Sequence, residues 1–196
     1  YPVELNLNGL KVEYAHTRPY RGMKLEDIEI LHALHEWKVE ADYSSAIRLL
    51  EPFVRQLEQK EDSLANRNKY YRPLSYLKEK LLLWEIKQQV DSVNVGDSVR
   101  PYLKKDMLEG VYCDDGRRTY YWEGNQMINT LIAYRIIKND PSLCKLKENM
   151  QLYILRTKER GWNTYQASSA VATVLTDLLA GSRRRPAGRS WSHSTG

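Results

Sequence analysis

Cysteine and phenylalanine are scarce in this chain, with two Cys and one Phe among 196 residues. Cys113 and Cys144 are too few to define a disulfide framework and neither belongs to a Cys-x-x-Cys pair, although one bridge between neighbouring loops would suit an oxidising compartment. No run of about 18 apolar residues occurs, which argues against a helical membrane span, and no charged-then-apolar leader stands at the start. The chain opens at Tyr1 without an initiator Met, so a piece of a longer protein is expected.

Excess charge of one sign is also missing from the body of the chain. The formal net charge is +5, but Arg183, Arg184, Arg185 and Arg189 follow Gly181 with no acid among them, leaving 26 basic and 25 acidic residues over 1–181. The basic character therefore belongs to the tail GSRRRPAGRSWSHSTG, whose Gly, Ser, Pro and Arg content cannot bury enough apolar area to order itself. Such a tail is either a nucleic-acid-binding arm or a disordered or expression-derived appendage; beside a nearly neutral body the second is expected, and no nucleic-acid partner. The expected organisation is an N-terminal extended segment over 1–22, a helical domain over 23–181, and a disordered or expression-derived tail over 182–196.

What is present is helical periodicity. Strand signals are confined to the start, where Val3, Leu5 and Leu7 and then Leu10, Val12 and Tyr14 flank Asn8-Gly9, a dipeptide suited to a short hairpin. Beyond Gly22 apolar residues recur at three- and four-residue intervals, predicting helices near 24–38, 44–60, 73–90, 97–107, 125–138, 142–157 and 163–180. Pro52 is expected to kink or split the second, and Pro73 and Pro101 fit first turns of the third and fourth. The segment 125–138 is apolar on much of its circumference and predicts an inner helix, whereas 142–157 carries a narrower stripe and predicts an outer one. WEGNQ at 122–126 and WNTYQ at 162–166 stand 40 residues apart, each an aromatic turn followed by Gln and an apolar helix. One period thus holds one inner and one outer helix, the signature of stacked helical hairpins. The final helix has small residues on its first face (Ala167, Ser168, Ser169, Ala170), which calls for a close helical neighbour, and Gly181 should stop it. Layering predicts Leu131 and Val171 nearly inaccessible, with Lys147 and Gln151 open to solvent.

Candidate chemistry centres on VYCDDGRRTYYWEG, which gathers Asp114, Asp115 and Glu123 with Tyr120, Tyr121 and Trp122 just before an inner helix. Paired carboxylates with aromatic faces are the tools of glycoside hydrolysis or carbohydrate binding in helical barrels. The alternative is that Asp114-Asp115-Gly116 is a turn and the aromatic residues pack between helices. Tyr120, Tyr121, Trp122 and Trp162 also offer an interaction surface, as aromatic groups with polar tips do. Glu29, His32 and His35 are spaced to share a helix face, but zinc needs three or four converging ligands and the sequence shows no further cluster. No metal or cofactor is expected.

EGVYCDDGRRTYYWEGNQMINTLIAYRIIKNDP, followed by RTKERGWNTYQASSAVATVL, resembles the helical thioester-type domain of bacterial alpha-2-macroglobulin-like proteins, particularly the Bacteroidetes type, over roughly residues 70–180. Tyr121-Trp122, Ala133-Tyr134-Arg135, Asp140-Pro141 and Gly161-Trp162-Asn163-Thr164 carry the likeness. It implies an all-α fold, a partial α/α toroid of stacked inner and outer hairpins, with the final helix beside its repeat mate. It further implies a non-catalytic part of a periplasmic or cell-surface protease-trapping inhibitor. Its partners would be neighbouring domains of a larger parent and, through the whole protein, target proteases, without membrane insertion by this chain. That family's thioester joins a Cys to a Gln three residues later; here those positions hold Gly116 and Lys147, so neither cysteine can form one.

Overall fold

Helix α1, Leu25–Glu36, opens with the side chain of Asp27 accepting from the Lys24 amide at 2.8 Å, which satisfies a donor the first turn would otherwise leave bare. The computed structural model describes residues 23–118, 126–158 and 164–183. The hairpin expected before residue 15 lies outside them. Asp42 caps α2, Tyr43–Arg67, by accepting from the Ser45 amide at 3.0 Å. This helix runs without interruption through Pro52, so the expected split does not occur. Ile47, Leu50 and Val54 stay buried on one side of the proline, and that packing offsets the hydrogen bond it removes.

Helix α3 is Leu77–Val90, four residues shorter at its start than the periodicity predicts. Pro73 to Ser75 are held against Arg118 instead: Leu74 bridges Arg118, the Ser75 amide donates to the Arg118 carbonyl at 2.7 Å, and the Arg118 amide donates to the Pro73 carbonyl at 3.1 Å. Glu61, near the end of α2, anchors the same segment by accepting from Tyr71 Oη at 2.7 Å and the Leu74 amide at 2.8 Å.

The helix expected over 97–107 is corrected by the structure. Only Gly96–Val99, α4, is α-helical, followed by a 3-10 turn at Arg100–Tyr102 and an antiparallel hairpin of β1, Leu103–Lys105, and β2, Val111–Cys113, with Leu103 opposite Cys113. The cause is turn chemistry that apolar spacing does not register. Asp106 Oδ1 accepts from the Leu108 amide at 2.9 Å and the Gly110 amide at 2.7 Å, and Glu109 sits in the left-handed region at φ 64°. A side chain at Gly110 would drive a Cβ to within 2.3 Å of Arg156 Nη2, so only glycine lets that guanidinium reach Asp106.

Helix α5, Gln126–Ile137, is buried over nearly its whole surface, with Leu131 1% exposed and Ala133 and Tyr134 at 0%. Asp140 caps the 3-10 turn Pro141–Leu143 through the Ser142 amide, and α6, Cys144–Thr157, follows. The chain then runs as α7, Thr164–Ala170, a π-helical stretch at Val171–Leu175, and α8, Thr176–Arg183, passing through Gly181 rather than stopping there.

The described body is therefore all-α with one short β-hairpin. Helices α3 and α5 pack side by side at its centre; α1 and α2 lie against α3, while α6, β2 and α7 lie against α5. Among the described residues no helix is long and apolar enough to cross a membrane. The inner and outer roles of α5 and α6 agree with their sequence patterns, but three of the four burial expectations fail. Gln151 is buried because its amide donates to Tyr134 Oη at 2.8 Å, a polar contact through the layer that an outward-facing register does not anticipate. Val171 is 51% exposed, and Lys147 is half-buried.

Candidate functional site

Asp114 and Asp115 continue directly from β2. The Asp114 amide donates to the Tyr102 carbonyl at 2.8 Å, extending the hairpin ladder by one bond, and the chain then turns at Gly116 with φ 74°. Asp114 Oδ1 accepts from the Gly116 amide at 2.9 Å and Oδ2 lies 3.3 Å from Lys104 Nζ. Asp115 Oδ1 accepts from the Arg117 amide at 3.0 Å, and Oδ2 accepts from Ser75 Oγ at 2.7 Å. Both carboxylates thus close Asx-type turns and tie them to β1 and to the segment before α3, which is the structural alternative to catalysis. Glu123, Tyr120, Tyr121, Trp122 and Trp162 lie outside the described residues.

Cys113 is buried and Cys144 exposed, and both are free thiols. Burial, reinforced by the charges of Asp114 and Asp115, pushes the Cys113 thiol up to about 12, so almost none of it is thiolate at neutral pH. A thiol reagent should therefore modify one cysteine per folded chain, Cys144, and two in denaturant. Two rapid modifications under native conditions would show that the Cys113 pocket opens.

The helix face that carries Glu29, His32 and His35 does not converge on one point. Glu29 pairs with Lys78, His35 meets the Tyr43 ring edge-on with centroids 5.0 Å apart, and His32 turns toward α3. There the fold assembles a cluster that no local motif announces. Glu85, 4% exposed, places Oε1 2.6 Å from Arg135 Nε and Oε2 2.7 Å from Arg135 Nη2, a two-pronged pair between the two central helices. His32 Nε2 lies 2.9 Å from Glu85 Oε2 and 4.0 Å from Glu36 Oε1. Burial alone would raise the Glu85 carboxyl, but the hydrogen bonds from Arg135 and His32 outweigh it and bring its pKa down to about 2.

A signal for the cluster was present in the sequence. Leu77, Leu81 and Glu85 follow one another at four-residue spacing, which puts an acid on the buried stripe of α3, and Arg135 interrupts the most apolar helix of the chain. Opposite charges embedded in two apolar stripes identify a pair that must meet, because a lone buried charge is too costly.

Beside this cluster runs a groove of about 430 Å³, walled by His35, Glu36, Val39 and Tyr43 on one side and Gln89 and Val90 on the other. Glu36 belongs to both, so the cluster opens at one edge into solvent. Of the described acidic and imidazole groups, His32, Glu36 and Glu85 have ligand atoms close enough to share an ion, all within 4.8 Å of one another. A second polar contact joins α5 to the final helix, where Tyr134 Oη lies 3.0 Å from Asp177 Oδ2 and Lys138 Nζ 3.7 Å from Asp177 Oδ1. No family model, curated protein or solved structure matches the chain.

Proposed function

We propose that this chain is a non-catalytic helical module of a protease-trapping inhibitor of the alpha-2-macroglobulin type, acting in the periplasm or at the cell surface. The observation that carries the reading is the packing of α5 against α7, the two helices that the aromatic segments of the 40-residue repeat lead into. Ala170 and Val174 are fully buried, and Asp177 reaches Tyr134 of α5 and Lys138 just past its end. Small residues on the final helix permit this approach, as the stacked hairpins of that family's domain would require. The carboxylates of Asp114 and Asp115 support the same reading, since their oxygens accept from backbone and side-chain donors of the surrounding turn.

In such a protein the module's work is mechanical: it presents surfaces to neighbouring domains of the parent. Val171, Leu178 and Leu179, left exposed on the final helix, supply apolar area for such a neighbour. Inhibition would come from the whole protein closing on its target protease, without covalent capture through Cys113 or Cys144.

Two assays test this. The parent protein, incubated with an endopeptidase, should shield a large protein substrate while a small chromogenic peptide is still cleaved. The chain itself should turn over no oligosaccharide. Glycan cleavage that disappears on Asp114→Asn, Asp115→Asn or Glu123→Gln with the fold intact would establish a carbohydrate-active enzyme instead. A parent that leaves the large substrate unprotected would equally reject the trap.

A further inference from the structure

We propose that His32, Glu36 and Glu85 bind a divalent transition-metal ion, zinc by preference, with Arg135 as the positioning group behind Glu85. Two ligands come from one face of α1 at i, i+4 spacing, and the third from the adjacent turn of α3. A tetrahedral zinc ion with bonds of about 2.0–2.2 Å separates its ligand atoms by roughly 3.3 Å. The two spacings from His32 Nε2, 2.9 Å to Glu85 and 4.0 Å to Glu36, bracket that edge. The first must open by a few tenths of an ångström and the second close by somewhat more. Glu36 is half exposed and can make that movement by a small side-chain rotation.

The lone pairs are available. Arg135 takes one on each oxygen of Glu85, and the second on Oε2 faces His32 Nε2. Without an ion the His32 Nε2–H donates to Glu85 Oε2; a bound ion takes that proton's place, with the imidazole proton moved to Nδ1 and the nitrogen and oxygen lone pairs both turned on the ion. The three ligands and Arg135 together carry a formal charge of −1 with the imidazole neutral, so a cation is attracted despite the nearby guanidinium. That guanidinium fixes the carboxylate plane, the part that outer hydrogen-bond partners play around bound metals. One imidazole with two carboxylates favours zinc or cobalt over magnesium and calcium, which take oxygen ligands alone. The open edge at Glu36 leads into the groove, giving an entry path and room for water as the fourth ligand.

The test is calorimetric titration of the full chain with zinc sulfate in metal-free buffer, made in a Cys144→Ser background so that the exposed thiol cannot supply a ligand. One ion per chain should bind and raise the melting temperature, and cobalt(II) should give the intense visible absorption of a tetrahedral site. His32→Ala should abolish both effects while circular dichroism stays unchanged. Glu36→Gln, altering an exposed residue that cannot compromise the core, should weaken zinc about 10–100-fold. Absence of stoichiometric binding, or binding of undiminished affinity in both variants, overturns the site and leaves the cluster as an ion pair between helices. Neither result bears on protease trapping, which is read from substrate protection.

Discussion

Replacing Arg135 with Met should lower the stability of the fold by about 3–5 kcal/mol, because it leaves Glu85 charged and buried between the central helices with one partner in place of two. For a chain of this size that is a fall in melting temperature of about 10 °C. Reversible denaturant unfolding measures the loss directly. The double variant Glu85→Leu, Arg135→Met should recover most of it, since replacing both partners by apolar groups removes the unpaired charge along with the bond. If the double variant is as unstable as the sum of the single ones, the two residues do not act as a pair.

The same pair sets the response to acid. Glu85 has its folded-state pKa depressed, from 4.5 to about 2, so its contribution is complete above the unfolded value and disappears as pH falls from about 5 toward 2. The full shift corresponds to about 3 kcal/mol, with little discount for solvent because the side chain is almost wholly buried. Glu79 works in the opposite sense: burial raises its pKa, so its protonation favours the folded state as the solution is acidified. Wild-type protein should therefore lose stability below pH 5. The Glu85→Leu, Arg135→Met variant should lose markedly less over the same interval.

Helix existence was legible in the spacing of apolar residues because burial of a stripe is what stabilises these helices, and α1, α2, α3, α5 and α6 stand close to where that spacing puts them. The hairpin at 103–113 was not, since Leu103 and Met107 satisfy a helical period by coincidence while Asp106, Glu109 and Gly110 dictate a turn. Nor was the position of Gln151, because a polar residue on an outer helix becomes an inner one only when its partner on another helix is known. The candidate chemistry shows the same division. The acids singled out by their clustering, Asp114 and Asp115, answer to their own turn. The cluster that joins α1, α3 and α5 draws on residues 32, 36, 85 and 135, and no local motif could unite them.

Leu131 and Val171 occupy the same position in the two copies of the 40-residue repeat, yet truncating them should have very different consequences. Leu131→Ala should cost about 3 kcal/mol, within the 2–5 kcal/mol typical of a buried leucine, because α3, β2, α6 and α7 enclose α5 and leave little room for collapse. Val171→Ala should cost less than about 0.5 kcal/mol, since the side chain is half exposed and stands at the head of the π-helical stretch. That stretch widens the backbone turn and re-phases the stripe, so Ala170, Thr173 and Val174 are buried while Val171, Leu178 and Leu179 face out. The sequence stripe is common to both faces, and only the position of the covering elements decides which face counts. Equal losses at the two positions, measured by denaturant unfolding of the chain, would mean that Val171 is covered in solution. A loss at Val171 that appears only in the parent protein would locate the apolar face of the final helix at a domain contact.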